Sequence, residues 1–157
     1  MLLLVVWWWL RQARPVVFLA VVAVGELAAY LLVVNVVHRP RPPVPLLDAG
    51  LEPLHSYPSG HVAAAMATYG GMAVLCWTFG TGRWRRLSTG LLVAPPLVAV
   101  ARLYLGVHHP TDVLASLGFM AAWLAVAAAV LLVHAPRDGR SPVRVRGRPR
   151  DDLLDHG

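Results

Sequence analysis

The chain has 157 residues, of which 57% are hydrophobic, and its mean hydropathy is +0.59. This composition excludes an ordinary soluble globular domain and indicates a helical protein that crosses a membrane several times. The net charge of +6 comes from 14 basic residues, all of them arginine. Because these arginines cluster at the ends of apolar segments rather than on one face, nucleic acid is not an expected partner.

Four apolar segments approach the roughly 20 residues that a membrane helix needs. They cover about residues 15–37, 61–79, 87–107 and 113–133. We therefore predict an all-α fold, a multi-span transmembrane helical bundle whose core covers residues 15–134. Residues 1–14 are expected to form a short apolar stub and a cytoplasmic basic turn, and residues 135–157 a disordered, Arg-rich cytoplasmic tail. The stub suggests a bundle that is shortened at its N-terminus.

The arginines predict the orientation of these spans. Clusters occur at residues 11–14, 83–86 and 137–150, and an even number of spans separates each cluster from the next. They therefore share one side of the membrane, which the positive-inside rule makes cytoplasmic. Only Arg39, Arg41 and Arg102 are expected on the outer side.

Prolines end the first span in the sequence His38-Arg39-Pro40-Arg41-Pro42-Pro43. An outer loop follows, up to about residue 58. Ser59 has the side chain of a good N-cap for the second span, so that the amides of Gly60 and His61 become unpaired donors at a positive helix end.

The third span is expected to be capped by Ser88 or Thr89 and kinked at Pro95-Pro96. The fourth span follows His108-His109, with Pro110 fitting its first helical position. Asp112 then falls in the first turn, where a carboxylate is favourable.

One ordered set of polar residues stands out from this apolar background. Arg102, His108 and Asp112 have R-x5-H-x3-D spacing, and Pro58-Ser59-Gly60-His61 opens another span. All of these residues, together with Arg39 and Arg41, lie at the predicted outer ends of spans. Guanidinium groups and helix N-termini bind phosphate, and histidines can attack phosphorus and protonate a leaving oxygen. The set therefore predicts a phosphate-processing site.

These motifs resemble the phosphatidic acid phosphatase type 2 superfamily of membrane lipid phosphatases, which is related to vanadium haloperoxidases. The resemblance covers about residues 15–133 and includes Arg-Pro-Arg-Pro at residues 39–42. It implies that His108 is the nucleophile, that Asp112 holds the other ring nitrogen of His108, and that His61 is the general acid. The implied phosphate ligands are Arg41, Ser59, Gly60 and Arg102, and we predict Arg39 as a further phosphate ligand beside them.

The same resemblance implies an integral membrane phosphohydrolase, and the distribution of the arginines predicts that its active site faces the outside of the cytoplasmic membrane. Its substrate would be a lipid phosphate or pyrophosphate, and its reaction would pass through a phosphohistidine without a metal or other cofactor. The chain departs from the family pattern at the Lys seven residues before the motif Arg, where Val34 or Leu32 stands. Asn35 or Arg39 is a potential substitute. Ala101 replaces a common Ser, and four long spans replace the usual six.

Alternative interpretations remain open from the sequence. His108, His109 and Asp112 are a weaker candidate for a metal site, because further ligands are missing nearby. A phosphotransferase would use the same phosphohistidine with an alcohol as acceptor. A catalytically degenerate protein that only binds lipid phosphates is the alternative outside enzymes. The particular lipid and the oligomeric state do not follow from the sequence.

Overall fold

The computed structural model describes residues 13–44 and 50–132. Within these ranges the chain is helical and has no β-strand, which confirms the prediction of an all-α fold. The predicted N-terminal stub of residues 1–10 and the tail of residues 135–157 lie outside the described residues.

Within the described residues, four helices are long and apolar enough to cross a membrane, as the predicted fold requires. Helix α1 spans Ala13–Val36, α2 Gly60–Phe79, α3 Gly82–Tyr104 and α4 Pro110–Leu131. Pro110 occupies the first helical position of α4, as expected from its fixed φ and missing N–H.

Helices α2 and α3 each contain an irregular stretch. Residues Met66–Gly70 of α2 form a π-helical turn, and residues Ser88–Val93 of α3 form a 3₁₀-helical turn just before Pro95 and Pro96. The expected cap of α3 is wrong, because α3 begins at Gly82 and the Ser88 hydroxyl donates to the Arg85 carbonyl at 2.9 Å. Arginine is a good helix former, so the polar residues 83–86 extend the helix beyond its apolar part.

The core lies where α1, α2 and α4 meet. Gly70 and Gly71 of α2 allow the side chains of Leu124 and Leu19 to approach the α2 backbone closely, as small residues do in membrane bundles. A second, smaller cluster of Val62, Ala99 and Val113 joins α3 to α2 and α4. The main cluster consists of Phe18, Leu19, Val22, Ala63, Ala67, Leu75, Met120, Leu124, Ala127 and Leu132.

The connections at one end of the bundle bring the helix ends together. The segment after α1 pairs with the segment before α2: the Arg41 amide donates to the Pro53 carbonyl and the Ser56 amide to the Arg39 carbonyl, both at 3.1 Å. Between α3 and α4, Gly106 has a φ of +71°, a conformation that residues with a Cβ rarely adopt. This tight turn delivers the following two residues, Val107 and His108, into the buried interior.

Candidate active site

The predicted site residues come from four places in the chain and converge at this end of the bundle. The segment after α1 supplies two arginines, the start of α2 supplies three residues, the last turn of α3 supplies one arginine, and the start of α4 and the turn before it supply a histidine and an aspartate. In that order they are Arg39, Arg41, Ser59, Gly60, His61, Arg102, His108 and Asp112.

His108 is buried, with 6% of its surface exposed. Its Nδ1 lies 2.7 Å from the backbone carbonyl oxygen of Ser56. Because a carbonyl oxygen only accepts hydrogen bonds, Nδ1 carries the proton. The other nitrogen of the neutral ring, Nε2, then has the lone pair that a nucleophile needs.

The surroundings of His108 favour this neutral form. Burial lowers the pKa of His108 below its usual value, and the nearby charges of Arg41 and Arg102 lower it further. The Ser56 carbonyl and the Asp112 carboxylate act in the opposite direction without cancelling the effect. His108 is therefore uncharged at neutral pH.

Asp112 is fully buried and accepts hydrogen bonds on both carboxylate oxygens. Oδ2 receives the Ser56 hydroxyl at 2.6 Å and the His109 amide at 2.8 Å, and Oδ1 receives the Arg39 guanidinium at 2.6 Å. The distance from Oδ2 to His108 Nδ1 is 3.7 Å, which is longer than a hydrogen bond. The geometry thus differs from the implied Asp112–His108 contact, because the Ser56 carbonyl occupies that position.

Arg39, which was expected to bind phosphate, makes contacts that the sequence did not predict. Its Nη1 donates to Asp112 and, at 2.7 Å, to the Thr111 hydroxyl. The expected substitutes for the missing Lys are therefore engaged elsewhere, since the Asn35 amide donates to the Leu31 carbonyl within α1 at 2.7 Å.

Arg41 and Arg102 supply the positive charge around His108. The Arg41 guanidinium donates to the backbone carbonyls of Glu52 at 3.0 Å, Val107 at 2.7 Å and His55 at 3.2 Å, which fixes its plane. Arg102 is 8% exposed and lies in the last turn of α3. Both charges act on His108, so both guanidiniums lie near its ring.

Ser59 occupies the N-cap position of α2 with extended backbone, but its side chain does not cap the helix. It is fully buried, and within the described part of the chain its Oγ has no hydrogen-bond partner. A buried hydroxyl without a partner is costly, and the cost disappears when a ligand provides an acceptor. This observation points to a ligand at the N-terminus of α2.

The next two residues share that helix end. Gly60 lies against the Tyr30 ring, where an added Cβ would come within 3.0 Å of the ring, so a larger residue would crowd this position. His61 lies in the first turn of α2 and is exposed. An exposed histidine at this position can exchange protons with solvent and with a bound ligand.

A cavity of about 140 Å³ opens beside the start of α2, between α1 and α4. One stripe of α1 lines it, including Glu26, Tyr30 and Val33, and Phe119 of α4 faces them. Pro58 and Ser116 also line it, and the Ser116 hydroxyl donates to the Ser59 carbonyl at 3.0 Å. The cavity therefore adjoins the candidate site and is mostly apolar.

Sequence reasoning missed Ser56. Its hydroxyl reaches Asp112 and its carbonyl reaches His108, and the residue is fully buried. A serine within a loop carries no local signal of such a role, because the partners lie more than fifty residues away in the chain. Among the described residues, no group of three or more His, Cys, Asp or Glu side chains is placed to hold a metal ion.

Comparisons with known proteins identify the family. No curated protein and no solved structure matches the chain. A model of the PAP2 superfamily, whose members are phosphatases, matches residues 14–136. This range covers the four described helices, apart from Ala13, and every residue of the candidate site, so the chain belongs to the PAP2 superfamily.

Proposed function

We propose that the protein is an integral membrane phosphohydrolase that removes a phosphate from a lipid phosphate or pyrophosphate. The reaction takes place at the outer face of the cytoplasmic membrane and passes through a phosphohistidine on His108. One observation carries the proposal: a buried, neutral histidine has its Nδ1 proton bonded to a carbonyl and two arginines beside it.

His108 is suited to attack phosphorus. Its Nδ1 is fixed by the Ser56 carbonyl, so the lone pair of Nε2 has a defined direction. Its lowered pKa keeps the ring unprotonated at neutral pH. In the first step, Nε2 forms a bond to phosphorus while the bond from phosphorus to the lipid oxygen breaks.

Guanidiniums and other hydrogen-bond donors stabilise the charge on the phosphoryl oxygens during this step. Arg41 and Arg102 contribute guanidiniums, and Ser59 contributes a hydroxyl that has no acceptor among the described residues. The amide of Gly60 adds a donor at the positive end of α2. Donors fixed before the reaction starts stabilise a transition state without reorganisation.

His61 handles the leaving oxygen. It lies two residues after Ser59 in the first turn of α2, where it can protonate the lipid oxygen as that oxygen leaves. In the second step a water molecule attacks the phosphohistidine, His61 takes a proton from it, and the Nε2–phosphorus bond breaks. Phosphate leaves and both histidines return to their starting states.

The substrate is a lipid because the site adjoins an apolar cavity within the membrane-spanning part of the chain. The cavity lined by Tyr30, Val33 and Phe119 lies directly beside Pro58 and Ser116. The orientation is inferred from the opposite end of the bundle, where Arg83, Arg85 and Arg86 are exposed. The positive-inside rule places that end in the cytoplasm and the site outside.

Phosphate release from purified, detergent-solubilised protein tests this proposal. The substrates are a panel of lipid phosphates and pyrophosphates, EDTA is present throughout, and His108→Ala is the control. We expect release by the wild type and a loss of roughly 10⁴-fold or more in the variant, as when other enzymes lose a nucleophile. Adding a competing alcohol distinguishes transfer from hydrolysis by its phosphorylated product.

A second variant separates the two histidines. His61→Ala should lower kcat by about 10²–10⁴-fold on lipid substrates and much less on substrates with a good leaving group, since those need no proton. Equal activity of His61→Ala and His108→Ala on both substrate types would contradict the roles given to them. A folded wild-type protein that releases no phosphate would instead support a degenerate lipid-phosphate binder.

A further inference from the structure

Arg39 is part of a closed ring of hydrogen bonds that does not involve a phosphate position. Its guanidinium donates to Asp112 at 2.6 Å, Asp112 accepts the Ser56 hydroxyl at 2.6 Å, and the Ser56 amide donates back to the Arg39 carbonyl at 3.1 Å. Each member holds the next, so the loop before α2 is tied to the start of α4.

The ring connects to His108 at one point. The Ser56 carbonyl accepts the Nδ1 proton of His108 at 2.7 Å, whereas Asp112 lies 3.7 Å from that nitrogen. The position of the His108 ring therefore depends on the position of the Ser56 backbone. Ser56 is in turn held by its hydroxyl on Asp112 and by its amide on Arg39.

The pairing of Arg39 and Asp112 is also electrostatic. The Asp112 side chain is fully buried and that of Arg39 is 34% exposed. A buried carboxylate needs a counter-charge, and charge-assisted hydrogen bonds of this length are strong. The charge of Arg39 is thus balanced by the Asp112 carboxylate, which weakens the attraction of this guanidinium for a phosphate.

We propose that Arg39 is a positioning residue, which holds Asp112 and Ser56 and through them the ring of His108, and that it does not bind phosphate. The proposal rests on the proposed function only in taking His108 as the nucleophile. In this role Arg39 does not replace the Lys that is missing from the first motif.

The proposal has a consequence for the charge on His108. Arg41, Arg102 and Asp112 are the charged side chains that act on the ring of His108, and Arg39, His61 and His109 are further charged or titratable groups at this end of the bundle. Asp112 favours protonation of His108, and Arg39 weakens this influence because it neutralises the carboxylate. Removal of the Arg39 charge should therefore raise the pKa of His108.

Histidine NMR titration of the full-length protein in detergent micelles tests this directly. The His108 resonance is identified by its absence in His108→Ala. In Arg39→Gln we expect the titration of His108 to move upward by about one pH unit, the size of one close charge. In the matched control Arg39→Lys, which keeps the charge, it should stay near the wild type. Adding Asp112→Asn to Arg39→Gln should remove the upward movement, because the unpaired carboxylate is gone.

Kinetics then distinguish a positioning residue from a phosphate ligand. We expect Arg39→Gln to lower kcat by roughly 10- to 100-fold, a typical effect of slight misplacement, and to leave the inhibition constant for inorganic phosphate unchanged. Arg102→Gln, which removes a proposed ligand, should raise that constant. Arg39→Lys should recover part of the lost kcat.

Two results would overturn the proposal. One is a His108 titration that is the same in Arg39→Gln and the wild type, and the other is a phosphate inhibition constant that rises as much in Arg39→Gln as in Arg102→Gln. The first of these two results does not depend on lipid hydrolysis. If the wild type releases no phosphate but its His108 titration still depends on Arg39, the proposed function fails and the positioning role stands.

Discussion

The two ends of the helix bundle both carry arginines, but the surroundings of these arginines differ. At the site end, Arg102 is buried, and Arg39 and Arg41 are partly buried and hydrogen-bonded to Asp112 and to backbone carbonyls. At the opposite end, Arg83 and Arg85 are exposed, and the guanidinium of Arg83 lies 5.4 Å from the ring centre of Trp84.

This difference indicates that the hydrogen-bond partners of the arginines, rather than the number of arginines, distinguish a candidate binding site. An arginine whose donors are directed by carbonyls has a fixed position and can recognise an anion, whereas an exposed arginine keeps its side-chain freedom and acts through its charge alone. We therefore expect substitutions at the site end to reduce catalysis strongly and substitutions at the opposite end to reduce it little.

The largest difference in activity between arginine substitutions at the two ends is expected for Arg102. Replacement by Gln removes a guanidinium from beside His108 and should lower kcat/KM by about 10²–10³-fold, the usual effect of losing one charge-stabilising donor. Arg102→Lys keeps the charge but lacks the planar guanidinium, so its kcat/KM should lie between those of the wild type and Arg102→Gln. Steady-state phosphate release measures the effect, and size-exclusion chromatography in detergent checks the fold. An Arg102→Gln variant with wild-type kcat/KM would remove Arg102 from the site.

Ser59→Ala should reduce activity without reducing stability. The Ser59 hydroxyl is buried and has no partner among the described residues, so its removal eliminates an unfavourable group from the folded state. We expect an unchanged or higher melting temperature, and a kcat/KM about 10²-fold lower if the hydroxyl binds a phosphoryl oxygen. Ser116→Ala is the matched control, because the Ser116 hydroxyl already donates to Ser59 and Asp112. That variant should lose stability. The opposite pattern would mean that Ser59 has a structural role.

Ser59 shows what the sequence could predict and what it could not. Helix formation depends on neighbouring residues, so the four apolar segments and the first-turn positions of Pro110 and Asp112 were predictable. The partners of a polar side chain depend on which distant segments meet. Ser59 is in the expected N-cap position, yet its hydroxyl does not bond to the helix.

The same reason explains why the sequence did not predict the contacts of Arg39 and Ser56. The motifs predicted that Arg39 and Asp112 would lie at the same end of the bundle, but not that they would pair with each other. That pairing requires the segment after α1 to run beside the start of α4, which no local pattern indicates. The start of α3 was missed for a different reason, because hydropathy does not detect helical arginines.

The pH dependence of activity tests the charges at the site end. A histidine nucleophile is active above its pKa, where it is neutral, and its activity is lost as the pH falls through that pKa. Because burial and two arginines lower the pKa of His108, the acid limb of kcat/KM should lie below the ordinary value of about 6.5. Each further pH unit below the limb should reduce the rate about tenfold.

A pH profile from pH 4 to 9 on a substrate with a good leaving group isolates this limb from the proton supplied by His61. The matched variant is Arg41→Lys, which keeps the charge, so its acid limb of kcat/KM should lie at nearly the same pH as that of the wild type. A limb above the ordinary histidine value in the wild type would mean that Asp112, rather than the arginines, dominates the electrostatics of His108.

The smallest effect on activity is expected at the opposite end. Arg85→Gln should change kcat/KM less than about twofold and the free energy of unfolding by less than about 0.5 kcal/mol, as for other exposed positions. Replacing Arg83, Arg85 and Arg86 together should act on insertion instead, because the positive-inside bias of this turn is removed. Labelling of Thr81→Cys in a Cys76→Ser background with an impermeant maleimide measures the orientation.

In intact cells we expect Thr81→Cys to resist labelling while the three arginines are present, and Glu52→Cys, at the exposed site end, to be labelled. In the triple Arg→Gln background, part of the protein should insert the other way, and Thr81→Cys should become accessible in that fraction. If Thr81→Cys were labelled in intact cells with all three arginines in place, the site would face the cytoplasm. The arginines at the site end would then be cytoplasmic and those at the opposite end would be outside, although the contacts around His108 would be unchanged.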